Sequence, residues 1–302
     1  MKKHVMHCIL VMGVCGASEL HSAVSMVYNL RIAETTKRQS TEEMFNKLST
    51  PVLTLFEQWR KKGPDTNEFI GGGLASYIAL LNPFYFRVDF AAAHASERTT
   101  DLFFARTQTD DFLLSAGYDY SLSALTRFTF SGLLGIPTHK DGILQGIQFG
   151  YGHVAIGGQI DGSFTFAHHP DQSIRSAVRY IRFVPRGITD CVESQQLHYT
   201  FNVGNLMDLF IAWHDKVGSS RWEFGYNPSF LFGAKITPDD PLFIKANNYI
   251  RNSFYGNYKY CFLINHIANA VQATASYGFD IRPKIVGRSQ IINIWGSWIV
   301  NF

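Results

Sequence analysis

No stretch of this 302-residue chain holds the roughly 18 uninterrupted apolar residues that a membrane helix needs. That excludes a helical span. It leaves open the other permitted way through a bilayer, a closed β-barrel. Cysteine is scarce, four in all, and Cys8 and Cys15 lie near the N-terminus. Cys191 and Cys261 remain, which is too few for a disulfide scaffold, and their spacing does not argue for a bridge. Charge is scarce too. Charged residues make up 17% of the chain, and 27 Lys and Arg nearly balance 24 Asp and Glu. No basic surface for nucleic acid is expected. Phe69-Ile70-Gly71-Gly72-Gly73 lacks the Lys-Ser/Thr of a phosphate loop. His168-His169 has no carboxylate or cysteine at ligand spacing, so neither metal nor cofactor is expected.

Aromatic residues are abundant. They make up 15% of the chain, while mean hydropathy stays near zero. Alternation of apolar and polar positions produces that balance. The N-terminus reads as a secretory signal peptide over residues 1–25. Lys2 and Lys3 precede a short apolar run, Val5 to Val14, and small residues follow around Ala17 and Ser25. Residues 26–68 then read as a helical or linker segment. Ser40 and Glu43 have capping-box spacing, and Thr50-Pro51 can open a helical turn. Leu48, Val52, Leu55, Phe56 and Trp59 recur every three or four residues.

From about residue 84 the period becomes two. Phe84, Phe86, Val88 and Phe90 alternate with Arg87 and Asp89. Trp222, Phe224 and Tyr226 alternate with Glu223 and Asn227. Twelve such segments are expected, near 84–95, 111–121, 125–134, 143–154, 157–167, 174–184, 195–204, 207–214, 221–233, 253–264, 268–280 and 289–302. Residues 69–81 and 102–108 could raise the count to fourteen. Segments of this length separated by turn residues predict an all-β fold, an antiparallel transmembrane barrel over 69–302. With the C-terminus inside, 185–194 falls on the periplasmic side and 168–173 on the extracellular side. Cross-strand matching of apolar rows predicts Asp119 directly opposite Arg127, and Val203 opposite Met207.

The chain ends in INIWGSWIVNF. Ile294, Trp298, Val300 and Phe302 share one face, with Gly296 among them. This run resembles the C-terminal insertion signature of bacterial outer-membrane β-barrels. The resemblance implies a Gram-negative outer-membrane location, with the lipid bilayer and the barrel-assembly machinery as partners. It also implies that the last strand closes the barrel against the first.

If apolar rows face lipid, chemistry must come from the inner rows. Arg87, Asp89, Asp119, Arg127, Asp161, Arg175, Arg179, Asp208, Glu223 and Lys259 are expected to face the lumen, with Asp280 beside them. Both signs are present, whereas a strongly selective pore favours one. Two readings stand: a porin-like diffusion channel, and a structural barrel with a charge-paired lumen. An outer-membrane enzyme is the rival. A lipase-like site needs a serine beside a histidine held by a third polar group, and none is expected. The protease-like pair His214-Asp215 would split between faces. A secretion barrel would need a large passenger before the helix, and a soluble secreted β-sandwich is the non-membrane alternative.

Overall fold

A computed structural model describes residues 49–301, apart from 63–65, 82, 99–102, 110, 139–151, 193–194, 238–247, 266 and 282–288. The signal-peptide region, the part of the expected helical segment before Ser49, and Phe302 lie outside the described residues. Within them every regular element is a strand. These are β1 Ser49–Lys62, β2 Thr66–Leu81, β3 Phe84–Arg98, β4 Phe103–Thr109, β5 Phe112–Ser121, β6 Thr126–Ile136, β7 Ala155–Phe166 and β8 His169–Phe183. There follow β9 Arg186–Val192, β10 Gln195–Asn202, β11 Asn205–Val217, β12 Ser220–Phe232, β13 Lys235–Thr237, β14 Tyr249–Ile264, β15 Ile267–Ile281 and β16 Ser289–Asn301.

Strand pairing is antiparallel throughout and returns on itself. β1 pairs with both β2 and β16, and β2 pairs with β3, so the sheet has no free edge along its wall. β4 and β5 pair with successive halves of β3 and act as one wall strand. Among the described residues the wall is therefore a closed barrel of twelve strands. β9, β10 and β13 form a separate three-stranded sheet.

Polarity is inverted relative to a soluble protein. Phe86 is 53% exposed and Ile211 52%, while Arg179 is 2% and Asp89 1% exposed. Large apolar rows on the outside and buried charge on the inside suit a barrel whose outer solvent is lipid. This inversion, with the closed sheet, overturns the β-sandwich alternative. Aromatic neighbours pack across the outer face, as Trp222 does against Tyr258, tilted by 46° at 4.4 Å between ring centres.

Connections separate by end. Residues 82–83, 122–125, 167–168, 218–219 and 265–266 join strands at one end. Residues 63–65, 99–102, 137–154, 184–204, 233–248 and 282–288 join them at the other, where the longest three lie and where 184–204 and 233–248 carry the small sheet. Short turns inside and long connections outside are the expected asymmetry of such barrels.

Four sequence expectations are corrected. The described part of the helical segment, Ser49–Lys62, is strand β1. Its helical spacing was a coincidence of two strand faces. Phe56 points inward onto Ile70, Leu74 and Ala91, and Glu57 points outward, so neither row reads cleanly. β6 and β7 are direct hydrogen-bonded neighbours, which leaves no place in the wall for a strand at 143–154. Segment 195–204 is not in the wall either, since β10 pairs with β9 and β13 while β11 pairs with β8 and β12. The predicted Val203–Met207 register therefore does not exist. Finally, 185–194 lies at the long-connection end and the β7–β8 turn at Ala167–His168 at the short one, the reverse of the expected sides. Losing two strands and gaining β1 and β2 kept the count at twelve.

Candidate functional site: the inner face of the barrel

Cross-strand register sets the inner face. Asp208 on β11 stands directly opposite Arg179 on β8. The guanidinium donates to Asp208 Oδ2 from Nε at 2.9 Å and again from Nη2. Both donors converge on one carboxylate oxygen, a charge-assisted contact. One turn of the wall away, Arg175 Nη1 lies 3.6 Å from Glu223 Oε2, reaching across β11 at the small residue Ala212. Tyr255 on β14 donates to Glu223 Oε1 at 3.0 Å and stacks on Phe210. Its ring passes over Gly225, where an added Cβ would come within 2.5 Å of it. The absent side chain at residue 225 is what lets the phenol reach the carboxylate.

Other charges are held alike. Arg87 Nε donates to Asp89 Oδ1 at 2.8 Å, and Ser76 hydroxyl donates to the same oxygen at 2.5 Å from directly across β2. Gln159 Nε2 donates to Asp161 at 2.7 and 2.9 Å. Lys259 is buried on the inner face of β14. Asp119 faces inward, but Thr129 rather than Arg127 stands directly opposite it and donates a 2.8 Å hydrogen bond. The pair Ser121–Arg127 closes a loop of 122–126, two residues longer than the expected 122–124, so the register moves by two. Arg127 pairs with Ser121 and is exposed at the short-turn end.

Four participants, Arg60, Glu68, Arg251 and Tyr255, went unnoticed in the sequence. Arg60 Nη1 donates to Glu68 Oε2 at 2.7 Å, with the two residues directly opposed across β1 and β2. Arg251 donates to both oxygens of Asp280, at 2.7 and 2.9 Å. Both arginines sat in segments read as helix or loop. Tyr255 was hidden because its row partner is a glycine. His214 is buried on the inner face of β11 near the short-turn end, and Asp215 takes the other face. His94-Ala95-Ser96 lies on β3, with His94 and Ser96 on its outer face. Cys261 is a free thiol.

At the long-connection end the inner face turns apolar. Leu113, Leu133, Ile181, Phe183, Leu206 and Leu231, all from wall strands, gather around Phe201 and Val203. Those two lie on and just after β10. The alternating row of β10 is thus amphipathic like a wall strand, but its apolar side covers the barrel's own mouth. His153 adds to this cover. Its ring meets Phe201 edge-on at 5.2 Å, and its Nδ1 lies 2.8 Å from the Val184 carbonyl oxygen. Of the terminal signature, Ile294 and Trp298 are exposed on the lipid face and Val300 is half-buried in the same row, while β16 closes on β1.

No protein-family model matches the chain, and no curated protein matches it. Solved structures do. The COG4313 outer membrane channel from Pseudomonas putida F1 superposes with a TM-score of 0.57 at 10% identity, covering 85% of this chain and 97% of that one. The translocator domain of autotransporter NalP from Neisseria meningitidis gives a TM-score of 0.47 at 7% identity, covering 93% and 98%. The CymD monoaromatic hydrocarbon channel gives 0.46 at 9%, covering 88% and 91%. At such identities the likeness is one of fold, and by fold this chain is a twelve-stranded β-barrel of the bacterial outer-membrane type.

Proposed function

We propose that the protein is a narrow, porin-like channel of the bacterial outer membrane, closed at its outer mouth by the β9–β10–β13 sheet. The observation that carries this is the apolar cover formed by Phe201 and Val203 over inward wall residues. A barrel that was only a structural plug would need no separate sheet at one mouth. Below the cover, paired charges of both signs narrow the lumen, and balanced signs argue for weak ion selectivity. Those ionisable groups are engaged with one another, so we assign no catalytic step to the lumen. Delivery to the outer membrane would use the signal peptide over 1–25 and the terminal row ending in Phe302, read by the barrel-assembly machinery.

Single-channel recording on refolded protein in planar bilayers tests this. The intact barrel should give small, infrequent steps. Replacing 186–202 with a short Gly-Ser turn should raise both step size and open time. A lid-free barrel that is heat-modifiable, hence folded, yet silent would defeat the channel reading and favour a sealed structural barrel.

A further inference from the structure

The outer face of the wall carries a single acidic side chain at mid-depth among the described residues. Glu57 is exposed and lies less than two residues from the midpoint of β1, which at the usual rise and a tilt near 45° is roughly 4 Å from the bilayer centre. The charged residues that share this face among the described residues, Lys61, Arg98, Arg182 and Asp215, stand within two positions of a strand end. A charge at a strand end can reach the head groups, whereas one at mid-depth costs stability wherever lipid is its neighbour. The Glu57 carboxyl group makes no hydrogen bond or ion pair among the described residues. Its surroundings are shaped for a close neighbour. Ala273, Gly296, Glu57, Gly71, His94 and Thr107 form one cross-strand row over six strands, with no large apolar side chain in it. Between Gly296 and Gly71 the row floors a groove of about 830 Å³, walled by Leu55, Trp59, Phe69, Ile294 and Trp298. Glu57 leans over Gly71, its Cγ 3.9 Å from where a Cβ at residue 71 would stand. Just beyond Gly71, His94 is exposed, with Nδ1 2.8 Å from Thr107 Oγ1.

We propose that this patch is where two copies of the chain meet in the membrane, as a two-fold dimer centred on Gly71, with Glu57 of each copy accepting a hydrogen bond from His94 of the partner subunit. The Thr107 hydroxyl, donating to Nδ1, keeps the ring proton on Nε2 and makes Nε2–H the donor to the partner. A second copy is the occupant that the patch itself supplies. Acceptor and donor stand on either side of one glycine, directly opposed to it across β1 and β3. A two-fold axis through that glycine sets each group against its complement, the self-complementary contact of a symmetric interface. Gly71, Gly73 and Ala92, which stands directly opposite Gly73, let the two walls approach with little side chain between them. Within one chain no ion pair joins Glu57 to His94. Lipid tails offer neither donor nor acceptor, so the Glu57 carboxyl group gains a partner on association.

The inference stands apart from the channel reading and has its own test. Full-length protein with its own cysteines replaced by serine is refolded into lipid vesicles, at matched heat-modifiable fractions, and oxidised. Gly71→Cys should cross-link into a dimer. Ile211→Cys should not, because it lies at mid-depth on β11, six strands from β2 in either direction around the wall. No dimer at residue 71, or equal cross-linking at 71 and 211, would overturn the interface. Energy transfer between dye-labelled copies in vesicles then gives the dimer affinity. Glu57→Leu should weaken it about 10-fold, and so should His94→Leu, although each makes the outer face more apolar. Exchanging the two, Glu57→His with His94→Glu, should restore it, since symmetry keeps each group opposite its complement. An interface held by apolar contact alone would tighten in Glu57→Leu. A dimer unchanged or tightened by that substitution, an exchanged variant as weak as the single ones, or a monomer at every protein-to-lipid ratio would overturn the proposal. Single-channel steps per barrel should stay at the wild-type level in these variants, so a silent barrel that still dimerises would count against the channel and not against this interface.

Discussion

Two sides of the inner wall are built on different principles. On the β8–β11–β12–β14 side, Arg179 faces Asp208, and Arg175 and Tyr255 converge on Glu223. On the β1–β2–β3 side, a patch lying between the Arg60–Glu68 and Arg87–Asp89 pairs is apolar instead, with Phe56, Ile70 and Leu74 packed over a row of Ala91, Ala93 and Ala95. The first side is specified by directional bonds and fails if one partner goes. The second is specified by volume, with one large ring set against three methyl groups, and fails by degrees. Register is fixed on both, but charge fixes it at single positions and packing fixes it over a patch.

The largest effect should come from splitting a pair on the charged side. Asp208→Ala removes the carboxylate that stands opposite the buried Arg179 guanidinium, and removing one partner of a buried pair costs about 3–5 kcal/mol. Denaturant unfolding of the barrel in lipid vesicles, followed by tryptophan fluorescence, measures it. Replacing both residues together, Arg179→Met with Asp208→Leu, should recover most of that loss. A double variant as unstable as the single one would mean that the pair holds the wall in a way apolar packing cannot replace.

On the apolar side, Leu74→Ala should cost about 3 kcal/mol. Leu74 is fully buried and its loss opens a cavity between Phe56 and the alanine row. The same unfolding assay applies. A cost near zero would show that the strip is loosely packed or wetted, and would remove the contrast between the two sides.

How far each side is legible in sequence follows from the same contrast. Arg175, Arg179, Asp208 and Glu223 alternate with apolar residues, so their strands declare both period and face. β1 does not, because Phe56 serves an inner apolar patch while Glu57 sits on the outer face between Gly71 and Gly296. Where lipid and core both want apolar residues, alternation vanishes and helical spacing can emerge by chance. β10 errs the other way. Its row of Leu197, Tyr199, Phe201 and Val203 alternates well, but periodicity reports only that one face is dry, not whether lipid or protein dries it. The closing strand β16 was readable because it meets lipid on one side and polar groups on the other. Partners two strands apart, such as Arg175 and Glu223, leave no trace in either strand alone.

A smaller effect probes the glycine that lets the charged side converge. Gly225→Ala would place a methyl group within 2.5 Å of the Tyr255 ring and push its hydroxyl away from Glu223. Overpacking of this kind costs about 1–3 kcal/mol. Gly132→Ala is the control, because an added Cβ there meets nothing within 4 Å. Equal costs at the two sites would mean that the loss is one of backbone freedom and that Tyr255 does not depend on residue 225.

The smallest effect lies at the short-turn end, where neither principle dominates. Asp119 and Thr129 are directly opposed and only half-buried, and the threonine hydroxyl donates to the carboxylate at 2.8 Å. Half-buried groups can exchange this bond for water, so the pair should contribute about 0.5–1 kcal/mol. A double-mutant cycle with Asp119→Asn and Thr129→Val isolates the coupling from the separate cost of each change. Asn keeps an acceptor oxygen but loses the charge, so part of the hydrogen bond should survive in the single variant. Thr129→Val removes the donor outright and should account for most of the coupling. A coupling well above 1 kcal/mol would mean that water is excluded here as it is around Arg179 and Asp208, extending the charged side to the periplasmic rim. Strict additivity would leave the register of β5 and β6 to their outward aromatic rows, with Tyr118 against Phe130 and Tyr120 against Phe128. In that case lipid-facing packing, and not the lumen, would set the pairing at this end of the wall.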